Sequence, residues 1–475
     1  PGEYRNRIYA NHIKQTILNI TNRLPANYRQ HYLHTIKLGI PIMLGQLGII
    51  LVGFADNIMV GQHSADELAA ASFVNNFFNL AFIFGMGFAY GLTPIIGELF
   101  SKGAHDKAAE TFKNSLLVNL VVGLLIGLCM LVLLLNIDLL GQPEELMPYI
   151  IPYYILQLVS VLFVMLFNSF KQFCDGVTDT MTPMWIMLGS NVLNIIGNYI
   201  LIYGHFGAPE MGLTGAGLST LISRIAAILV FVYIFARHPR FAKFRNGFKS
   251  GIINKASISR LYHLGFPVAL QLGVEAASFS LSVIMMGWLG KTALAAHQVV
   301  GVVTTLGFMI YYGIGAAVTI RVSNFRGQDD WKSVRLASFA GLHLILFTAL
   351  LVVIFLYAVR NVIGYLFTPE AEVAQLTALL MYPVILYQLG DGLQILFANA
   401  LRGIADVKYM AWMAFICHVC ISLPLGYFCG FVLGFGALGV WSGFPISLSL
   451  LGILLWIHFN KRTKGRAERS VHARL

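Results

Sequence analysis

Three acidic residues lie inside long apolar stretches of the chain, where charged side chains are rare. They are Asp56, Glu275 and Asp391. Only 11% of the 475 residues are charged, and 57% are hydrophobic. A charge near the centre of a bilayer costs roughly 3 kcal/mol on insertion scales. An acid kept at such a position is therefore a candidate functional residue.

Two of these acids are predicted to lie at the same depth. Glu275 is 13 residues into an apolar run that begins near Tyr262, and Asp391 is 14 residues into one that begins near Thr377. At about 1.5 Å of rise per helical residue, both positions reach the middle of a membrane. Tyr387 is one turn before Asp391 and shares its helix face. The second half of the chain thus places two acids and a phenol at one level.

Several amide side chains accompany the acid pair. Gln271 is one turn before the first acid, and Gln388 and Gln394 flank the second. In lipid, such groups must face the protein interior or a wet cavity. We therefore expect them to line the same cleft as the two acids.

A buried acid pair suits the binding of cations. Two carboxylates in a low-dielectric cleft cannot both stay ionised without a large cost, so the pair can take up H⁺. Glu275, Asp391 and Tyr387 would also serve as metal ligands if the cation were Na⁺. A cationic substrate would compete for the same negative charge. The residues do not decide between H⁺ and Na⁺.

The first half carries a different polar set. Asp56 is nearer the outer end of its apolar run, and Asn194 and Asn198 are spaced i, i+4 on another run, so all three could line a cleft. The alternatives are a carboxylate that reaches the membrane interface and amides that join helices. Arg224 lies in the middle of a further run and must either pair with an acid or extend to the interface.

The apolar runs predict an all-α integral membrane protein. The mean hydropathy is +0.73, and the charged fraction is far below the about 25% of soluble proteins. Aromatic residues such as Tyr311 would add apolar walls to a cleft. Twelve runs are long enough to span a bilayer. They fall at about 37–61, 69–96, 114–137, 148–170, 183–205, 213–236, 262–288, 293–320, 336–359, 377–401, 409–432 and 437–459.

The positive charge is distributed as in a membrane protein. The net charge of +11 would suit nucleic acid, but 29 of the 32 Lys and Arg residues lie before the first run, in alternate loops or after the last run. The other loops carry acids. This positive-inside pattern predicts that both termini are cytoplasmic, in an inner or plasma membrane. It excludes nucleic acid as a partner.

The chain also repeats itself. At a shift of 226 residues, Leu38-Gly39-Ile40-Pro41 falls on Leu264-Gly265-Phe266-Pro267. An even number of spans in each half relates the halves by an axis along the membrane normal. The predicted domains are a cytoplasmic segment at 1–36, six-helix lobes at 37–236 and 262–460, a basic linker at 237–261 and a basic tail at 461–475. Rocking of such lobes exposes a central cleft to alternate sides.

These features together resemble the multidrug and toxic compound extrusion (MATE) transporters, in particular the NorM-type branch. The resemblance runs from about residue 38 to residue 460. In the first half it rests on residues 53–61 (GFADNIMVG) and 193–199 (LNIIGNY). In the second half it rests on Glu275 and four short motifs, which are residues 265–267 (GFP), 296–298 (AHQ), 387–391 (YQLGD) and 401–403 (LRG).

The resemblance implies a V-shaped protein of two lobes that exchanges amphipathic, mostly cationic compounds for Na⁺ or H⁺. It implies a cation site at Glu275, Asp391 and Tyr387, with Asp56 as a coupling residue of the first lobe. Some relatives carry an acid where this chain has Asn198, which makes coupling by the first lobe alone less favoured. We expect a monomer in contact with membrane lipids, without a cofactor.

Two other functions fit a polytopic membrane protein. A flippase for lipid-linked precursors would favour a cationic cleft, whereas here the intramembrane acids outnumber the single intramembrane Arg. A membrane-embedded enzyme would need a nucleophile or a metal set, for example two His near an acid. The 13 His residues are scattered. Both functions are therefore weaker interpretations than transport, and we expect no enzymatic activity.

Overall fold

Twelve long helices make up most of the chain, which confirms the predicted fold class. The computed structural model describes residues 26–140 and 143–472, and within these ranges twelve helices are long and apolar enough to cross a membrane. Residues 1–25 of the predicted N-terminal segment and 473–475 of the tail lie outside the described residues. The helices are α1 Ala26–His63, α2 Ala65–Ala89, α3 His105–Leu135, α4 Met147–Gly176, α5 Met181–Tyr203, α6 Gly212–Arg237, α7 Lys255–Trp288, α8 Lys291–Gly327, α9 Trp331–Ile363, α10 Ala371–Gly403, α11 Lys408–Val432 and α12 Gly436–His472.

The helices extend beyond the apolar runs that predict them. After a two-residue turn, α2 continues as a short helix at Leu92–Ser101. Between the halves, α6 ends at Arg237, a short helix occupies Ala242–Ser250, and α7 begins at Lys255. The basic sequence between the halves is thus partly helical. Many large apolar side chains are exposed along the helices, as expected where lipid covers them.

The sequence repeat reappears as a repeated hydrogen bond. Thr93 Oγ1 donates to the main-chain and side-chain oxygens of Gln172, at 3.2 and 2.6 Å. Thr319 Oγ1 donates to the corresponding two oxygens of Asn399, at 2.8 and 3.0 Å. The two threonines are 226 positions apart. Helices α1–α6 and α7–α12 therefore share local bonding as well as order.

Glycines bring the two halves close together at one end of the helices. This end carries the basic loops and is called the basic end below; the opposite end is the acidic end. A Cβ on Gly265 would meet the main chain of Phe88, and one on Gly39 would meet the main chain of Gly313. Gly39 and Gly265 are the glycines matched by the repeat. Their missing side chains allow α1 to approach α8 and α2 to approach α7.

Charged side chains join the halves at the same end. Glu98, in the short helix after α2, pairs with Arg260 of α7 at 2.5 Å and lies 3.6 Å from Arg326 of α8. Arg321 of α8 donates to the carbonyl oxygen of His31 at 2.7 Å and to Thr35 Oγ1 at 2.8 Å. The basic end is therefore held by ion pairs and hydrogen bonds as well as by close backbone packing.

Candidate cation-binding site

Glu275 and Asp391 lie on facing helices of the second half. Glu275 Oε2 accepts two long hydrogen bonds, from Gln271 at 3.5 Å and from Gln394 at 3.4 Å. Gln271 is one turn earlier on α7, whereas Gln394 is on α10, so the second bond joins the two helices. The structure thus brings together both acids and two of the amides that the sequence singles out.

Asp391 is fully buried, and the one hydrogen-bonding side chain that acts on it in the described part of the chain is Tyr387. Its exposed fraction is 0%, and among the described residues neither carboxylate oxygen accepts a hydrogen bond of ordinary length and angle. The buried Oε1 atoms of Gln271 and Gln394 also lack one. Buried acceptors are normally paired, because an unpaired one loses its water without compensation. Four acceptor oxygens near Glu275 are therefore suited to a proton or a cation.

Two tyrosines and a third amide complete this group. Tyr311 of α8 donates to Gln388 Oε1 at 3.0 Å. Tyr387 is 4% exposed and interacts electrostatically with both acids and with Tyr311. Three helices therefore contribute to one polar cluster, which we call the second-lobe site and define as Gln271, Glu275, Tyr311, Tyr387, Gln388, Asp391 and Gln394.

An aromatic wall stands beside the second-lobe site. The Tyr387 ring centroid is 6.3 Å from that of Phe279 and 6.5 Å from that of Trp441. Phe279 stacks on Phe444 at 4.5 Å, and Trp441 Nε1 donates to His297 Nδ1 at 3.1 Å. The three apolar rings, Phe279, Trp441 and Phe444, do not stand out in the sequence. The i, i+3 spacing of Trp441 and Phe444 on α12 indicates a shared face but does not show what that face contacts.

The first half has its own polar group, which contains one acid where the second-lobe site contains two. Asn198 Nδ2 donates to Asp56 Oδ1 at 2.5 Å, which joins α5 to α1. Asn194 Nδ2 donates to Thr220 Oγ1 on α6 at 3.0 Å. The Oδ1 atoms of both asparagines are buried without a partner among the described residues. The three residues predicted from the first half therefore lie together.

Arg224 lies within the same half and does not extend to the membrane interface. Its Nη1 donates to Gln157 Oε1 at 3.1 Å and to Ser160 Oγ, both on α4. The guanidinium also lies 5.0 Å from the centroid of the Phe82 ring of α2. Among the described residues, no hydrogen bond joins the Arg224 guanidinium to Glu275 or Asp391.

Comparison with known proteins decides the family. The MatE family model matches residues 41–200 and again residues 267–428. The chain belongs to the MATE family. The starts of the two matches are 226 residues apart, which equals the shift of the internal repeat. The MatE domain therefore occurs twice in this chain, once in each half.

Individual relatives agree with the family. The chain is 31% identical over 440 residues to the multidrug resistance protein NorM of Photobacterium profundum, covering 90% of this chain and 95% of that protein. It is 32% identical over 447 residues to a probable NorM protein of Bradyrhizobium diazoefficiens, covering 92% and 95%. The eukaryotic MATE transporter AtDTX14 has the same fold, with a TM-score of 0.83 at 17% identity over 93% of this chain and 99% of that one. The chain is thus an integral, multi-pass membrane protein of a transporter family.

Proposed function

We propose that this MATE protein is a multidrug efflux antiporter that exchanges amphipathic organic cations for H⁺ or Na⁺. The observation that carries the proposal is the second-lobe site, where Asp391 is fully buried, interacts with a second acid, Glu275, and has only the Tyr387 hydroxyl as a hydrogen-bonding neighbour among the described residues. The relatives named as multidrug resistance proteins support the substrate class. In this proposal the coupling ion is a transported substrate of the protein.

The second-lobe site can exchange one cation for another. Glu275 and Asp391 repel each other when both are ionised, so either a coupling ion or an organic cation relieves the same charge. Binding of one therefore weakens binding of the other. For Na⁺, the ligands would be Glu275, Asp391 and Tyr387, with the free amide oxygens of Gln271 and Gln394 in support. Such an all-oxygen set suits a hard cation.

The aromatic wall gives the site an apolar side. Phe279 and Trp441 pack edge to face on the ring of Tyr387, which itself interacts with both acids. A cation over such rings gains about 0.5–2 kcal/mol, and an apolar body gains further from leaving water. An amphipathic organic cation therefore finds both a charge partner and an apolar surface here.

The place where the halves touch supports a cycle of alternating access. Glu98 with Arg260, Gly265 with Phe88 and Arg402 with the Tyr90 ring, at 5.2 Å, all join the halves at the basic end. If the basic end is cytoplasmic, as the positive-inside rule predicts, this arrangement is the outward-facing state. Opening these contacts would expose the second-lobe site to the cytoplasm, and closing them would return it to the outside.

Ion gradients imposed one at a time test the coupling. Purified protein is reconstituted into liposomes loaded with tetraphenylphosphonium, a lipophilic organic cation. An inward gradient of Na⁺ or of H⁺ is then imposed separately. We expect a tenfold gradient of one of them to lower the internal tetraphenylphosphonium concentration to about one tenth of the value reached at equal ion concentrations, since such a gradient supplies about 1.4 kcal/mol per ion. Efflux that responds to neither gradient would refute cation-coupled antiport.

A further inference from the structure

Arg224 is a positive charge held in the first half by neutral partners. It lies midway along α6, and its guanidinium contacts Gln157, Ser160 and the Phe82 ring. Gln157 is itself fixed, because its Nε2 donates to Tyr153 Oη at 2.9 Å. Burying a charge is costly unless an opposite charge compensates it. Neither Gln157 nor Ser160 supplies that charge, so the compensation must come from farther away.

Asp56 is the acid placed to compensate it. Asp56 and Arg224 interact electrostatically, although no direct ion pair joins them within the described residues. A short series of contacts links the two. Asn198 binds the Asp56 carboxylate, Asn194 is one turn away on α5, and Thr220, which binds Asn194, is one turn before Arg224 on α6. The carboxylate and the guanidinium thus belong to one series of polar side chains without touching, and Tyr153, the partner of Gln157, interacts electrostatically with both.

The two halves therefore differ in charge. In the second half, the neighbours that act electrostatically on Asp391 include a second acid, Glu275. The cation that acts on Glu275 is Arg402, which lies three turns beyond Asp391 towards the basic end. In the first half, the acid Asp56 interacts with a fixed guanidinium, that of Arg224. A mobile cation is drawn to uncompensated negative charge.

We propose that Arg224 is a tethered cation that neutralises Asp56 and so keeps organic cations out of the first half. It is a specificity-determining residue for the proposed antiport, on which this inference rests. The positive charge of Arg224 permanently offsets the negative charge of Asp56. An incoming organic cation therefore binds at the second-lobe site instead. Removing the guanidinium leaves Asp56 free to attract a second cation.

Equilibrium binding of labelled tetraphenylphosphonium to purified protein in nanodiscs tests the inference. Arg224→Gln removes the charge and keeps an amide near Gln157 and Ser160, whereas Arg224→Lys is the matched control. We expect Arg224→Gln to bind the probe about tenfold more tightly, as for a unit charge roughly 10 Å away at an effective dielectric constant near 20. Arg224→Lys should bind within about twofold of the unmodified protein, since its charge is kept.

Asp56 supplies the second arm of the test. Asp56→Asn in the Arg224→Gln background removes both charges and should return the affinity to that of the unmodified protein. A structural role for Arg224 predicts the opposite, weaker binding in Arg224→Gln that Asp56→Asn does not restore. Binding that is unchanged or weaker in Arg224→Gln overturns the inference.

A third variant separates this inference from the proposed function. Glu275→Gln with Asp391→Asn removes the acids of the second-lobe site and leaves Arg224 and Asp56 in place. If that variant still transports tetraphenylphosphonium against its gradient, the proposed antiport mechanism fails. The affinity change in Arg224→Gln remains a separate measurement, so each failure can be recognised by itself.

Discussion

A variant that combines Glu275→Gln with Asp391→Asn loses all accumulation of substrate against a gradient. Both substitutions keep side-chain size and hydrogen-bonding atoms but remove the negative charge that a coupling ion and an organic cation share. A tenfold ion gradient supplies about 1.4 kcal/mol, enough for about a tenfold substrate ratio in one-for-one exchange. We expect that ratio to fall to about 1 in the variant, measured with tetraphenylphosphonium in proteoliposomes.

Acids outside the site provide the matched control. Asp66→Asn with Glu372→Gln removes the same two charge types at exposed positions. This control should keep the substrate ratio of the unmodified protein. Size-exclusion chromatography checks that both double variants remain folded. Full accumulation in the Glu275 and Asp391 variant would contradict the assignment of the acid pair to energy coupling.

A disulfide across the basic end stops transport completely and reversibly. A Cβ on Gly97, in the short helix after α2, would lie 3.0 Å from Ser323 Cβ on α8. Disulfides need Cβ atoms about 3.5–4.5 Å apart, so a small shift lets Gly97→Cys and Ser323→Cys join. The bond would fix the halves in one state. We expect no tetraphenylphosphonium efflux after oxidation and full recovery of efflux after reduction, because alternating access requires this end to open.

The single variants control for the native thiols. The chain has five cysteines, and none of those in the described residues forms a disulfide. For each single variant, Gly97→Cys or Ser323→Cys, the efflux rate should be the same before oxidation, after oxidation and after reduction. Undiminished transport in the double variant, with the cross-link verified by mass spectrometry, would show that the basic end does not open during the cycle.

The sequence predicts the twelve spans and the acid pair because both are set by local rules. A bilayer demands about 20 apolar residues per helix, and an acid inside such a run stands out by itself. The depth of Glu275 and Asp391 follows from counting residues along each helix. Their contact through Gln394 needs only that α7 and α10 face one cleft. For these residues, the one-dimensional pattern was enough to place them in one group.

Contacts between distant helices lie beyond such rules. The sequence leaves Arg224 with two alternatives, and its actual partners, Gln157 and Ser160, are on a helix that the pattern does not orient. The aromatic wall depends in the same way on how Phe444 of α12 meets Phe279 of α7. In an apolar chain with 34 Phe, most aromatic residues look alike in sequence. Only packing separates those that face the site from those that face lipid.

The most direct measurement of the central claim is ion movement driven by substrate. Proteoliposomes receive a tetraphenylphosphonium gradient and no ion gradient, while H⁺ is followed with a pH dye and Na⁺ with a radioactive tracer. We predict that one of these ions moves opposite to the substrate in the unmodified protein and that neither moves in the Glu275→Gln, Asp391→Asn variant. Equal ion movement in both proteins would contradict exchange at the acid pair.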